Sequence, residues 1–193
     1  MTDFNSLTAS QLGDMIGQGK IDPVELTEHF LSQIELSPIG RKIYSTVTFK
    51  LALEQAKDSK KRADAGRRLS SLDGVPISWK DLFDISGYPC EAGSELLAGR
   101  LAIKNAKVYN FAEAHGLICL GKTHMSELAF SGLGLNPIRE TPPCVNYPES
   151  VPGGSSSGAA TSVSFGLAAA GIGSDTGGSV RIPAVSYTHL RAH

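Results

Sequence analysis

Cysteine, net charge and long apolar runs are all scarce in this 193-residue sequence. Its three cysteines, Cys90, Cys119 and Cys144, are odd in number, widely spaced and form no C-x-x-C pair. Neither a disulfide framework nor a zinc site is therefore expected, and a reduced, cytoplasmic setting fits best. A formal net charge of -1 gives no electrostatic reason to expect nucleic acid or an anionic membrane as partner. The basic run KKRADAGRR at residues 60–68 is local and reads as a solvated helix end. The longest greasy stretch, FGLAAAGIG at residues 165–173, is far too short to span a bilayer. The opening MTDFNSLTAS has neither a basic nor an apolar segment of the kind a secretory signal needs. With 41% hydrophobic and 19% charged residues, the composition suits one globular domain with a sizeable core.

The nucleotide-binding loops are missing as well. Two glycine-rich segments, PGGSSSGAA at residues 152–160 and GSDTGGSVRIP at 173–183, invite a phosphate reading, since such loops open helices and cradle anions. Neither completes G-x-x-x-x-G-K-[ST] or G-x-G-x-x-G, so no lysine is placed to meet a phosphate.

What is present alternates. SLTASQLGDMIGQG and DPVELTEHFLSQIEL read as helices, the second with Asp22 as N-cap, Pro23 at the first position and Glu25 completing an Asp-x-x-Glu box. IYSTVTF reads as a strand, LALEQAKDSKKRADAG as a helix stopped by Gly66, and LDGVPISWKD as a turn followed by a strand. KVYNFAEAHG is a helix closed by Gly116, and LICLGK is a buried strand. After a proline-rich loop at 136–152 come a small-residue helix, SSGAATSVSFG, and a strand, LAAAGIGSD. The expectation is an α/β fold with a mixed sheet covered by helices.

Three residues compete for chemistry. Ser179 follows two glycines whose freedom lets successive amides turn toward one point, as an oxyanion hole requires. No histidine stands within the fifty residues before it, and His124, after the strand, reads as loop packing or polar surface. Ser155 sits in PGGSSSGAA, and Lys80 ends the hydrophobic run of ISWK. A lysine serves as base only when neutral. Burial lowers its pKa, and reaching 7–8 takes about 3–4 kcal/mol of differential stabilisation. Each alone has a plainer reading, a Gly-Ser turn or a strand-end surface lysine.

Together and in this order, GVPISWKDLFDISGYPCEAGS, GKTHMSELAFSGLGLNP and PGGSSSGAATSVSFGLAAAGIGSDTGGSVRIPA resemble the amidase signature family of Ser-Ser-Lys hydrolases. The resemblance implies that Ser179 is the nucleophile, Ser155 the bridging serine on a cis peptide bond, and Lys80 the general base. It further implies an oxyanion hole from the amides of Thr176, Gly177, Gly178 and Ser179, and a substrate contact at Ser131. No metal or organic cofactor is called for; the partner is a small carboxamide, and a homo-oligomer stays open. Asp175 and Arg181 are expected to brace the loop.

The resemblance holds to about Ala184, which defines residues 1–184 as the N-terminal part of a single amidase domain. The tail VSYTHLRAH, residues 185–193, matches nothing expected there. Family members are twice this length or more, so a truncated fold, with apolar strand edges left uncovered, is expected. The leading functional reading is hydrolysis of a carboxamide. A second, with the same chemistry, is the glutaminase-like component of a tRNA-dependent glutamine amidotransferase, working with partner subunits. A third, of another class, is a non-catalytic glycine-loop binding module, which requires an exposed, charged Lys80.

Overall fold

The computed structural model describes residues 4–188; the last part of the tail, with His189 and His193, lies outside the described residues. Helix α1 (Ala9–Gly17) buries Leu12 and Ile16. Thr8 and Gln11 cap it reciprocally: the Gln11 amide donates to Thr8 Oγ1 at 3.2 Å, and the Thr8 amide to Gln11 Oε1 at 2.8 Å. Helix α2 (Pro23–Leu36) starts on Asp22, whose carboxylate accepts from the Val24 amide at 2.7 Å. The sequence places a capping box at Asp22 and Glu25; among the described residues it closes at Thr8 and Gln11 instead. The second carboxylate oxygen of Asp22 faces Lys60 Nζ at 3.2 Å, so that side chain caps α2 and also ties it to the next long helix.

A single turn, α3 (Gly40–Ile43), which the sequence pattern does not announce, leads into β1 (Tyr44–Val47) and α4 (Phe49–Asp64). The basic run at the end of α4 divides. Lys60 and Lys61 pair on the surface with Asp64 and Asp58, whereas Arg62 and Arg68 turn inward to Asp73. Asp73 is fully buried, and a Cβ on Gly116 would lie 2.2 Å from its carboxylate. Only glycine fits there, and its φ of +81° closes α5 (Lys107–Ala114).

Strands β2 (Pro76–Lys80), β3 (Ile118–Thr123) and β4 (Ala170–Ile172) complete a four-stranded sheet in the order β1-β3-β2-β4. β1 runs antiparallel to β3, and the other pairs are parallel, so the sheet is mixed, as expected. Every residue of β2 and β3 is buried, which is why PISWK and ICLGKT show no clean alternation. Alternation persists in where the side chains point. Trp79 packs at a tilt against Tyr109 of α5, ring centroids 5.2 Å apart, and Tyr109 bonds Gln55 of α4. Ser78 instead meets Ser162 of α6 (Ser157–Ser164) at 2.7 Å. Helices thus cover both faces of β2, and its even-numbered side chains face α6. Lys80 is the next of these.

The described residues close with α7 (Arg181–Thr188), a second helix that the sequence pattern does not announce.

Candidate active site

Lys80 is 0% exposed, at the C-terminal end of a central strand. Its Nζ donates to Ser155 Oγ at 2.7 Å and to Ser174 Oγ at 2.8 Å. Among the described residues no carboxylate pairs with it directly. Burial pushes the amine down to about 8, with the Asp175 charge pulling weakly the other way. A fully buried lysine with hydroxyl partners alone is therefore a base within reach of neutral pH, and the reading of a strand-end surface lysine is set aside.

Ser155 is fully buried in the turn before α6, and the Gly154–Ser155 peptide bond is cis. Backbone packing holds this turn. The Gly153 amide donates to the Leu133 carbonyl at 3.0 Å, the Gly154 amide to Gly132 at 2.8 Å, and the Ser126 amide to Ser155 at 3.2 Å. A Cβ on Gly154 would lie 2.6 Å from the Gly134 nitrogen, so the two glycine-bearing loops touch backbone to backbone. These contacts bring the Ser131 loop against the Ser155 turn. Ser131 Oγ itself accepts from the Leu133 amide at 3.2 Å, and the residue lines an open concavity with Glu127, Leu128, Phe130, Leu135 and Pro137.

Ser179 lies in the loop between β4 and α7. The Asp175 carboxylate organises that loop: it accepts from the amides of Gly178, Val180 and Arg181 at 3.0–3.2 Å and from the Arg181 guanidinium at 3.0 and 3.1 Å. Those donors hold its pKa far below the usual carboxylate range, Arg181 first among them. Asp175 and Arg181 thus brace the loop. Of the four amides read as an oxyanion hole, Gly178 already donates to Asp175; those of Thr176, Gly177 and Ser179 have no hydrogen-bond acceptor among the described residues. The Ser179 carbonyl accepts from the Ser156 amide at 3.1 Å, which docks the loop on the start of α6. Among the described residues no hydrogen bond joins Ser179 Oγ to Ser155 Oγ. The structure brings Lys80 and Ser155 into contact and docks Ser179 on the neighbouring Ser156 through its carbonyl; among the described residues the Ser179 hydroxyl makes no hydrogen bond.

Two residues went unnoticed in the sequence. Ser174 is the second partner of Lys80, and Ser156 clasps it through a pair of 3.3 Å bonds: the Ser174 amide donates to Ser156 Oγ, which donates to the Ser174 carbonyl. Their one signal was position, inside the two glycine-rich segments but outside the three roles the resemblance implies. Other nucleophile chemistry finds little support. Burial raises the thiols of Cys90 and Cys119 to about 11 and about 12, and it lowers the pKa of buried His124. Among the described residues no histidine bonds Lys80, Ser155 or Ser179.

The Amidase family model matches residues 25–190. Among curated proteins, the chain is 38% identical to a glutamyl-tRNA(Gln) amidotransferase component from Acinetobacter baylyi, covering 95% of this chain and 37% of that protein. For the component of the same name from Chloroflexus aurantiacus the figures are 36%, 95% and 38%. Among solved structures, the peptide amidase of Stenotrophomonas maltophilia superposes with a TM-score of 0.87 at 26% identity, over 95% of this chain and 39% of its own. An amidase family protein from Bacillus anthracis gives 0.83 at 28% identity, over 93% and 37%. The chain thus spans under two fifths of the length of these relatives.

Proposed function

This chain belongs to the amidase family, and on that premise we propose that it carries the catalytic groups of a serine amide hydrolase. The observation that carries the reading is the buried Lys80 amine 2.7 Å from Ser155 Oγ. Neutral Lys80 takes the proton of Ser155, which takes that of Ser179. Ser179 Oγ then attacks the carboxamide carbon, and the tetrahedral oxyanion forms against the amides of Thr176, Gly177 and Ser179, which have no acceptor among the described residues. Gly178 joins only if its amide leaves Asp175. The relay runs backward to protonate the departing nitrogen, the C–N bond breaks, and an acyl-Ser179 ester remains. Water, deprotonated through the same relay, releases the acid. The missing Ser155–Ser179 hydrogen bond is the contact that substrate binding must tighten, since catalytic hydrogen bonds are often loose in an empty site.

The experiment is covalent labelling with a fluorophosphonate. An adduct on Ser179, lost in Ser179→Ala and strongly reduced in Lys80→Ala, is expected; absence of any adduct from the protein carrying this sequence would overturn the reading. The binding-module alternative needs an exposed Lys80, and Lys80 is buried.

A second reading concerns the amide. Identity to the two amidotransferase components, at 36–38%, exceeds that to the two solved amidases, at 26% and 28%. This favours glutamine as the amide and passage of the released ammonia onward to partner subunits. The loop SGLGLNPIRETPPC departs from what such a component is expected to carry, which favours a stand-alone amidase of small carboxamides. Ammonia release from glutamine, compared with release from simple amides, decides between them.

A further inference from the structure

We infer that Ser174 is a positioning residue for Lys80: its hydroxyl fixes the rotation of the amine so that the lone pair faces Ser155, and ties the base to the loop that carries the nucleophile. The inference rests on the Lys80–Ser155–Ser179 reading above and extends it.

A neutral amine has two N–H donors and one lone pair. For the relay to run, the lone pair must point at the Ser155 hydroxyl. A single partner leaves the amine free to turn about its last bond, so that an N–H often takes the place of the lone pair. A second partner, in a different direction, removes that freedom. Ser174 Oγ is that partner, 2.8 Å from Nζ. Burial of Lys80 excludes water from taking its place.

The position of Ser174 is itself fixed. Both of its main-chain polar groups bond Ser156 Oγ at 3.3 Å. Gly173, just before it, has no room for a side chain: a Cβ there would lie 2.7 Å from Ser156 Oγ and 2.8 Å from Ser156 Cβ. The chain therefore presses on the start of α6 at the residue before Ser174. One residue later, Asp175 gathers the amides of the loop that ends at Ser179 and Arg181. Ser174 thus stands between two fixed points, the Ser156 clasp and the Asp175 knot. A shift of the nucleophile loop is transmitted through it to the amine.

The same bond sets the protonation of Lys80. An acceptor favours the charged amine over the neutral one, because a hydrogen bond from an ammonium is the stronger. Removing it disfavours the charged form and lowers the pKa. A Ser174→Ala protein should therefore lose rate while its acid limb moves to lower pH, two changes that a loosened loop would not produce together.

The test is the pH dependence of fluorophosphonate labelling of Ser179, measured with the protein carrying this sequence. For wild type the rate should rise with pH through a midpoint set by Lys80. In Ser174→Ala the plateau should fall about 10-fold or more, and the midpoint should move down by about one pH unit. Ser174→Thr, which restores the hydroxyl, should recover both. Ser174→Cys keeps the size of the side chain with a weak acceptor and should behave like Ser174→Ala, which guards against a folding defect in the alanine variant. An unmoved midpoint in both the alanine and cysteine variants would overturn the inference alone. Wild-type labelling no faster than that of Lys80→Ala would overturn the parent reading and this inference with it.

Discussion

Two lysines lie fully buried on neighbouring strands of one sheet, and their partners differ in kind. Lys122 of β3 meets the Asp81 carboxylate at 2.7 Å and the Pro89 carbonyl at 3.0 Å. Lys80 of β2 meets two hydroxyls and, among the described residues, no carboxylate. The strand pleat separates them: Lys80 faces Ser155, in the turn before α6, and Ser174, in the loop after β4, whereas Asp81, the next residue, is on the side of Lys122. Burial of an ammonium is costly in either place. Lys122 offsets that cost with a counter-ion and becomes a structural strut. Lys80, given none, is pushed down to about 8 and becomes available as a base. Lysine, burial and sheet are shared, and the presence of one carboxylate decides between strut and base.

Exchanging each lysine for methionine separates the two most sharply. Lys80→Met should reduce labelling of Ser179 by on the order of 10⁴-fold, the upper range for loss of a general base, and leave the fold intact. A rate within tenfold of wild type would remove Lys80 from the mechanism. Lys122→Met should do the reverse first: it strands Asp81 as a buried, unpaired carboxylate and costs about 3–5 kcal/mol in urea denaturation. Equal stability losses for the two variants would mean that both lysines are struts.

How much of this contrast was legible in the sequence follows from what each part depends on. The long helices and the strands around Lys80 and Lys122 were legible, because caps, glycine stops and apolar runs are local signals. The roles proposed for Lys80, Ser155 and Ser179 rest on the resemblance, since each residue alone reads as a turn or a surface residue. Asp81 and Lys122 stand 41 residues apart and pair only because β2 and β3 are adjacent and in register. Ser174 reaches Lys80 across 94 residues. The engagement of the Gly178 amide by Asp175 was hidden for another reason: a glycine signals freedom to turn, and which way the amide turns is set by the nearest acceptor. Short helices escape for want of length; α3 is one turn, too brief for any periodicity.

Burial of Lys80 also makes stability depend on pH. Lys80 titrates at about 8 in the folded chain and near 10.5 when unfolded. Between those values the unfolded chain holds a proton that the folded one lacks, so stability rises with pH across the window and is flat on either side. Wild type should therefore be less stable than Lys80→Met at pH 7, by a gap that closes by roughly 3 kcal/mol as pH approaches 10.5. Cys90 and Cys119, raised to about 11 and about 12, pull the other way above pH 9. Both proteins carry these thiols, so their effect cancels in the difference. A gap that stays constant with pH would mean that Lys80 is not depressed at all.

The smallest expected effect tests whether the strut is needed as a charge or only as a pair. In Lys122→Met combined with Asp81→Asn, no ion is stranded. An asparagine keeps an oxygen to accept the Glu91 amide, which Asp81 Oδ2 now accepts at 3.1 Å. Left unmet are the Pro89 carbonyl, which loses the Lys122 ammonium, and the new side-chain NH2 at position 81, which replaces the oxygen that faced Lys122. Each buried neutral group without a partner costs about 1–3 kcal/mol, less than a stranded ion, so the double variant should recover part of what Lys122→Met alone loses. The two substitutions should be non-additive for that reason, as residues sharing one contact are. A double variant as unstable as the single one would locate the value of Lys122 in its carbonyl bond and its packing. Recovery would mean that the pair is replaceable by neutral groups, a freedom the proposed relay denies Lys80, whose lone pair it uses.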